Sequence, residues 1–500
     1  MSFDRSLSPI RPDAWTPDAA RNLAMRAGFG GTPSQLADVY DVGLEGAVDA
    51  FLMPAERPTP PDSISPDVVQ PLDEEERRAL ARARGSDAEA VRQQIQRRRL
   101  TQRRDDREMF RDLQHWWVER LLDPPASLHE RMVLLWHNHF ATGHRAVRDA
   151  YLMWRQHAMF RASAYDFATL AQGIVRDPAM LKYLNNDRNR RAAPNENLAR
   201  ELLELFMLGA GNYRESDIKE GARALTGYSV DDDDFQFRKF FHDSQKKTIL
   251  GRTGDFDGDD FVELLLRQDA CARFVAHKLY DHFVFDVGDD WAKVPRDRQA
   301  VIRDLGKRVK RHKYDLKPVL RELFTSRHFY SSANVGKKIK SPAQFLAGTV
   351  CSANTPSRRI GTLNDAMERM GMSLFDPPSV NGWDGGRAWI NTSTLFVRQN
   401  LATYLIAGKE PGEEFDARDA RVSGTHDPRK LLAGLDEASH DQPEAVVDHV
   451  VDALLGTHVP SDRRASLYAF AQERQRGPSD PHALLGLLCT VTAMPEYQLC

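Results

Sequence analysis

The feature that most constrains the fold is a spacing of apolar residues that repeats every three or four positions through nearly the whole chain. This is the period of a helix that buries one face. Residues 235–250 differ, because Phe235 and Phe237 alternate with polar residues, and this alternation predicts a short β-hairpin. The sequence therefore predicts an all-α, mainly helical protein with one small β-hairpin and a loop insertion rich in Gly, Trp and Asn.

Charge and hydropathy exclude several classes of protein. The 69 lysines and arginines nearly balance the 72 aspartates and glutamates, so the whole chain gives no electrostatic reason to bind nucleic acid. No run approaches the roughly 18 uncharged apolar residues of a membrane span, and the opening residues lack the apolar core of a signal peptide. The four cysteines are far apart, which is typical of a reducing compartment. We expect a cytoplasmic protein.

Composition changes along the chain without any repeat of fixed period, and we expect residues 1–500 to form one continuous helical body. Its segments are a proline-rich loop at 54–71, a charged helical arm at 73–107, a motif-rich centre at 126–260, a loop rich in Trp, Asn and Gly at 374–400, and a C-terminal helical part at 426–500. Within the centre, Gly209 and Gly227 stand where left-handed helix caps are expected. Ser216 stands where a helix N-cap is expected.

The first candidate for chemistry is the run His137-Asn138-His139 at the end of a predicted helix. Two histidines two residues apart point about 200° apart on a regular helix, so they reach one metal ion only from a frayed end. One reading makes His137 and His139 metal ligands or acid–base groups. The other buries one ring against Trp136 and uses the second to cap the helix, since polar groups in an apolar helix are costly without partners.

The second candidate is an acidic stripe formed by Asn197, Glu201 and Glu204 on a helix that is apolar on both sides. Such a helix is largely buried, so some of these carboxylates are buried too. A buried carboxylate needs an arginine, a metal ion or a shifted pKa. The glutamates are therefore either catalytic or metal-binding, or they belong to a salt-bridge network with nearby arginines, namely Arg155, Arg200 or Arg223.

Two loops supply further candidates. His242 lies beside Asp243 at the end of the predicted hairpin, where a histidine can act as a base, a ligand or part of a solvated turn. The 374–400 loop carries Trp383 and Trp389 with hydrogen-bonding residues between and after them. Flat aromatic faces combined with polar groups suit sugar binding, and the alternative is a structural loop anchored by its aromatic rings.

Several motifs resemble one known family. They are RNLAMRAGFGGTP (21–33), LLWHNHFATG (134–143), RDPAMLKYLNNDRNRRAAPNENLARELLELFMLGAGNY (176–213), ALTGY (224–228), HDSQKKTILGRTGDFDGDD (242–260), KSPAQF (340–345), DPPSVNGWDGGRAWINTSTLFVRQN (376–400) and MPEYQL (494–499). The chain is similar over nearly its full length to the bacterial family known as domain of unknown function 1800. The resemblance implies one continuous architecture, no settled activity, and a co-encoded partner that resembles secreted sulfatases.

These candidates together favour a hydrolase or lyase that acts on a glycan-like or other polymer substrate. Glu201 or Glu204 with His242 would do the acid–base work, around a divalent metal held by His137 and His139. The groups expected to hold the substrate are Asn197, Trp383, Arg387, Trp389 and Asn391. The alternative is a non-catalytic binding or assembly protein that meets its sulfatase-like partner through the charged arm. Convergence of these segments on one cleft would favour the enzyme.

Overall fold

The computed structural model describes residues 3–54, 58–70, 74–84, 86–122, 127–356, 358–408, 427–456, 458–473 and 477–500. Most of these residues are helical and the strands are few and short, so the predicted all-α class with a small hairpin is confirmed. None of the described helices is both long and apolar enough to cross a membrane.

The first part of the chain is helical up to the acidic stripe. Its helices are α1 (Pro17–Ala27), α2 (Pro33–Asp41), α3 (Gly43–Leu52), α4 (Glu74–Arg82), α5 (Ser86–Leu121), α6 (Ser127–His139), α7 (His144–Val147), α8 (Ala150–Ala162), α9 (Phe167–Ile174), α10 (Pro178–Tyr183) and α11 (Asn197–Glu201). Helix α11 continues without a break into a π-helical segment, Leu202–Met207. A π-helix closes each hydrogen bond over five residues instead of four, and such segments are rare.

The remaining helices follow the acidic stripe. They are α12 (Glu215–Ala224), α13 (Gly258–Leu266), α14 (Asp269–Phe283), α15 (Arg296–Arg311), α16 (Leu316–Phe324), α17 (Pro342–Ser352), α18 (Ile360–Arg369), α19 (Thr392–Ala407), α20 (Pro443–Leu454), α21 (Ser461–Gln472) and α22 (Pro481–Ala493). The predicted left-handed caps at Gly209 and Gly227 are confirmed, with φ of 80° and 81°.

The strands form two hairpins where the sequence predicts one. They are β1 (Tyr228–Asp231) with β2 (Asp234–Phe237), and β3 (Lys247–Ile249) with β4 (Arg252–Gly254), each pair antiparallel. The pairing expected within 235–250 is therefore not formed, because Phe237 pairs backward with Tyr228. A turn at Leu250 and Gly251, both with positive φ, joins the two strands of the second hairpin.

Two helices begin earlier than the sequence predicts. Helix α12 starts at Glu215 and not after Ser216, because the Asp217 carboxylate caps it by accepting the backbone amide of Arg214 at 2.8 Å. Helix α19 starts inside the predicted 374–400 loop. Its N-cap is Asn391, whose Oδ1 accepts a backbone amide of the first turn at 3.0 Å.

Helix α6 lies between the two groups of buried apolar side chains that form the core. One group joins Leu135 and Trp136 of α6 to side chains of α9, the π-helical segment and α14–α16. The other joins Val133 and Leu134 of α6 to side chains of α5, α8 and α17–α22. Helix α6 is therefore covered on opposite sides, and this fixes the position of the polar residues at its C-terminal end.

Candidate functional site

The last turn of α6 places His137, Asn138 and His139 against three different parts of the fold. His137 is buried, and its Nε2 lies 3.0 Å from Nδ1 of His157 in α8. The ring of Trp117 packs against both histidines. Burial lowers the pKa of His137 to about 3 and that of His157 well below its ordinary value, so the two rings form a neutral hydrogen-bonded pair.

His139 points to another side of α6 and closes the π-helical segment. Its Nε2 donates a hydrogen bond of 2.8 Å to the carbonyl oxygen of Phe206. Carbonyls at the end of a helix have no hydrogen-bond partner further along it. The bond from His139 therefore gives the buried Phe206 carbonyl the partner that it would otherwise lack. Burial lowers the pKa of His139 to about 3. The ring is therefore neutral and carries its proton on Nε2, because a carbonyl oxygen only accepts.

The metal site expected at His137 and His139 is not assembled by this geometry. Helix α6 stays regular through its last turn, and the two rings have different neighbours, Phe160 for the first and Phe140 for the second. Their nitrogens therefore do not face a common point. Among the residues that the structure describes, no three His, Cys, Asp or Glu side chains are grouped to hold a metal ion.

Asn138 holds the Trp-rich loop against α6. Its Oδ1 accepts the backbone amide of Trp383 at 2.6 Å. The preceding residue, Gly382, has φ of 86°, and a Cβ there would overlap both the backbone oxygen and Oδ1 of Asn138. The position therefore demands glycine twice, for its left-handed backbone and for the close approach to α6.

The predicted sugar-binding residues have mostly structural contacts. Trp383 and Trp389 expose only 5% and 7% of their surfaces, so little of either ring face is free to stack on a sugar. Asn391 uses its side chain to cap α19. Asn197, Arg387 and Asn391 are the exposed members of this predicted group.

Glu201 ends α11 and Glu204 lies within the π-helical segment. Both side chains are half-buried, and neither forms an ion pair with any residue of the described chain. The Tyr213 hydroxyl donates to Glu204 Oε2 at 3.0 Å. The pKa of Glu201 is raised, first by burial and then by the negative charge of Glu204. Glu201 therefore keeps its proton to a higher pH than an ordinary glutamate does.

The arginines predicted as partners for these glutamates bind other carboxylates. Arg200 pairs with Glu196 at 3.0 Å and with Glu215 at 2.8 Å. The other pairs are Arg223 with Glu220 and Asp243, and Arg155 with Asp234. A salt-bridge network thus forms around the acidic stripe without including Glu201 or Glu204. Burial and the charge of Glu204 raise the pKa of Glu201 by more than the charge of Arg200 lowers it.

His242 is buried beneath the turn Lys239–Phe241, between the two hairpins. Its Nδ1 donates to the backbone oxygen of Thr226 at 2.8 Å. No contact within the described chain joins it to either Glu201 or Glu204. The structure therefore brings the two glutamates together on one helix and places the predicted third member of the acid–base group elsewhere.

The comparison with protein families covers almost the whole chain. The model described as protein of unknown function (DUF1800) matches residues 22–499. The chain belongs to this family. No curated protein and no solved structure matches it. The DUF1800 region includes α6, the π-helical segment and the Trp-rich loop, so the features described above all lie within the family unit.

Three features of this DUF1800 chain were missed by sequence reasoning. They are the π-helical winding, the bond from Tyr213 to Glu204, and the fully buried guanidinium of Arg131 in α6. For Arg131 a signal was present, because it stands among apolar residues in a helix that the sequence shows to be apolar on several sides. The π-helical winding has no such signal, since its residues suit an ordinary α-helix equally well.

We predict that the buried neutral histidines make the protein sensitive to acid. The unfolded chain takes up a proton on each histidine below pH of about 6.5, whereas folded His139 stays neutral to about pH 3. The free energy of unfolding is therefore highest above pH of about 6.5. Between there and about pH 3 it falls by about 1.4 kcal/mol per pH unit for each such histidine.

The variant His139→Gln keeps an N–H donor for the Phe206 carbonyl and cannot be protonated. Its free energy of unfolding, measured with urea between pH 6 and 4, should fall less steeply with decreasing pH than that of the wild type. The difference in slope should be about 1.4 kcal/mol per pH unit, the value for one proton. His139→Phe, which also loses the donor, should cost a further 1–3 kcal/mol, roughly, at pH 7. Parallel pH curves for wild type and His139→Gln would contradict the assignment.

We predict that Gly382→Ala detaches the Trp-rich loop from α6. The left-handed backbone alone costs about 1–2 kcal/mol for a residue with a Cβ, and the overlap with Asn138 adds to it. Urea unfolding should therefore show a loss of about 2 kcal/mol or more. Gly385→Ala is the matched control, because a Cβ on Gly385 meets no atom within 4 Å. Equal stability of the two variants would show that the close contact does not matter.

Proposed function

We propose that this DUF1800 protein is a hydrolase that acts on an acidic glycan-like polymer, with Glu201 as the general acid and Glu204 as the general base. The observation that carries the proposal is a pair of half-buried carboxyl groups without an ion pair, one of which has a raised pKa. Enzymes that hydrolyse a glycosidic bond commonly use two carboxyl groups that lie in different environments.

The chemistry follows from the protonation of the pair. Glu201 donates its proton to the leaving oxygen as the bond between that oxygen and the sugar carbon breaks. Glu204 takes a proton from a water molecule whose oxygen forms the new bond to the same carbon. Tyr213, which donates to Glu204 Oε2, holds this carboxylate in place. Proton exchange with solvent then restores both groups.

The π-helical winding supports the assignment. A π-helix is rare, and single turns of it inside α-helices occur frequently at functional sites. Here it contains Glu204, begins directly after Glu201, and includes Phe206, whose carbonyl His139 binds. A buried histidine thus stabilises the unusual turn that carries Glu204 and follows Glu201.

A basic surface with exposed aromatic rings supports an acidic polymer as substrate. Arg190 lies 4.0 Å from the ring centre of Phe241, and Arg191 lies 5.1 Å from that of Phe240. Phe240 exposes 74% of its surface. Within the described chain Arg190, Arg191 and Lys239 form no ion pair, so their charges are free to attract an anion.

This surface lies close to the proposed acid and base in the chain. The backbone amide of Arg191 binds the carbonyl of Phe241, and residues 191–196 then lead directly into α11. In this proposal the aromatic rings stack on sugar rings and the cations bind carboxylates of the polymer. His242, buried beneath the same turn, would position it and would not transfer a proton.

The test of the acid–base pair is substitution of each glutamate. Glu201→Gln and Glu204→Gln should each lower kcat by about a hundredfold or more on the acidic polysaccharides polygalacturonate or alginate, measured as new reducing ends. In the wild type the rate should fall as pH rises through the raised pKa of Glu201, because the acid must be protonated. Glu201→Gln should lack this limb of the profile.

The control for these variants is Glu263→Gln, an exposed glutamate of α13, which should keep the wild-type rate. Near-ultraviolet absorbance separates the two bond-breaking reactions, since elimination leaves an unsaturated sugar and hydrolysis does not. An unsaturated product would show that Glu201 and Glu204 catalyse a lyase reaction and not hydrolysis. Absence of both products across acidic and neutral polysaccharides would overturn the enzymatic proposal.

A second prediction concerns the basic surface. Phe240→Ala and Arg191→Ala should each raise KM for the acidic polymer about fivefold with little change in kcat, because they remove stacking or charge attraction remote from the reacting bond. The effect of Arg191→Ala should shrink at high salt. Phe396→Ala is the control, since Phe396 is 65% exposed on α19. Equal KM values in all three variants would separate this surface from the substrate.

A non-catalytic role is the second candidate, and one observation favours it. The residues with clear structural roles include His137, His139, Trp383 and Asn391, all of which the sequence marked as functional. In this version the charged helical arm at 73–107 meets the co-encoded sulfatase-like partner. Two results together would favour assembly over catalysis. The protein should bind the purified partner and lose that binding when charges in this arm are reversed, and it should release no product from any polymer.

A further inference from the structure

A second site is indicated by a cavity of about 70 Å³ that is open on one side. It lies where α6, α14, the segment before α17 and the Trp-rich loop meet. Its lining includes Arg131, Asp281, Asp286, Lys338, Asp384 and Gly385. The volume corresponds to roughly two water molecules, enough for one small polar group.

Arg131 is the unusual member of this lining. Only 1% of its surface is exposed, and its sole hydrogen bond within the described chain runs from Nη2 to the backbone oxygen of His282 at 3.2 Å. Its Nε is buried without a partner, as are those of Arg26 and Arg161. Other buried arginines are better satisfied, since Arg26 donates three bonds to carbonyls and Arg161 binds both oxygens of Glu130. A buried cation left this way is costly.

The neighbouring carboxylates do not pair with Arg131. Asp286 binds the ammonium group of Lys338 through one oxygen and the backbone amide of Ile339 through the other, the latter at 3.0 Å. Asp281 accepts two backbone amides through Oδ1, at 2.8 and 3.0 Å. Lys338 and Asp286 therefore neutralise each other, and within the described chain no carboxylate of the lining, Asp384 included, forms an ion pair with Arg131.

The guanidinium of Arg131 stays charged and has only its edge free. Burial lowers its pKa to about 10, which still leaves it protonated at neutral pH. The rings of Phe29 and Phe283 lie 5.9 and 5.7 Å from its central carbon. With aromatic rings nearby, the remaining N–H groups are best satisfied by an acceptor in the guanidinium plane.

We propose that this cavity binds the carboxylate group of a small ligand through Arg131. A carboxylate is planar and matches the fork of a guanidinium edge with two parallel hydrogen bonds. A carboxylate brings one negative charge to Arg131, whereas a dianion such as phosphate would meet stronger repulsion from Asp281, Asp286 and Asp384. Apolar side chains of the lining, Leu134 and Met372 among them, suit the carbon atoms beside the carboxylate.

The proposal does not depend on Glu201 and Glu204, and its test is a binding measurement. The thermal unfolding of the full chain is followed with increasing sodium acetate, against sodium chloride at equal ionic strength and against inorganic phosphate. Acetate should raise Tm in a saturable way, since a ligand that binds only the folded state stabilises it by mass action. Chloride and phosphate should produce smaller and non-saturating shifts.

Two variants make the test specific. Gly385→Leu should raise the dissociation constant of acetate at least about tenfold without loss of Tm in chloride, because Gly385 lines the cavity and a Cβ there meets no atom within 4 Å. Arg131→Met should abolish the acetate shift and raise Tm in anion-free buffer, since it removes a costly buried charge. Gly385→Ala and Arg267→Met, an exposed arginine of α13, are the controls.

The outcomes separate cleanly. No saturable acetate effect in the wild type, or the same effect in Gly385→Leu, would overturn the proposal. An equal and saturable shift with phosphate would overturn the assignment to a carboxylate. If Arg131→Met does not fold, Gly385→Leu alone decides, because it leaves the buried charge in place and changes only access to it.

Discussion

The structure depends on how one turn of helix α6 satisfies its polar side chains. His137 binds another histidine, Asn138 binds the backbone of the Trp-rich loop, and His139 binds the end of the π-helical segment. Each bond is buried or half-buried. Breaking one leaves a polar group without a partner and lowers the free energy of unfolding by about 1–3 kcal/mol. Three elements from distant parts of the sequence are therefore held in fixed register by three consecutive residues.

Hydrogen bonding also separates the residues with structural contacts from those on which the two proposals rest. His137, His139 and Trp383 each have a hydrogen-bond partner inside the fold, although Nδ1 of His139 is buried without one. Glu201 and Arg131 are different, because each is withdrawn from water without an opposite charge in direct contact. Natural proteins retain such groups chiefly where a ligand or a reaction uses them. The two proposals rest on this contrast, one on a carboxyl group and one on a guanidinium.

Sequence reasoning recovered the helical class, a hairpin, the family and the partial burial of Glu201 and Glu204, because each depends on local periodicity or on long motifs. It could not assign partners that are distant in the sequence. That Arg200 binds Glu215 but not Glu201 follows from side-chain positions, which spacing alone does not determine. The second hairpin was missed because it depends on a left-handed conformation at Leu250, a residue that rarely adopts one.

The shared position of α6 has a consequence for how the protein opens. Because its side chains belong to both groups of core residues, neither group can lose its packing without exposing α6. Unfolding of one half of the core alone therefore has a high free energy. The amide protons of α6 should exchange with solvent only when the whole core unfolds. A buried helix placed between two cores makes them behave as one cooperative unit.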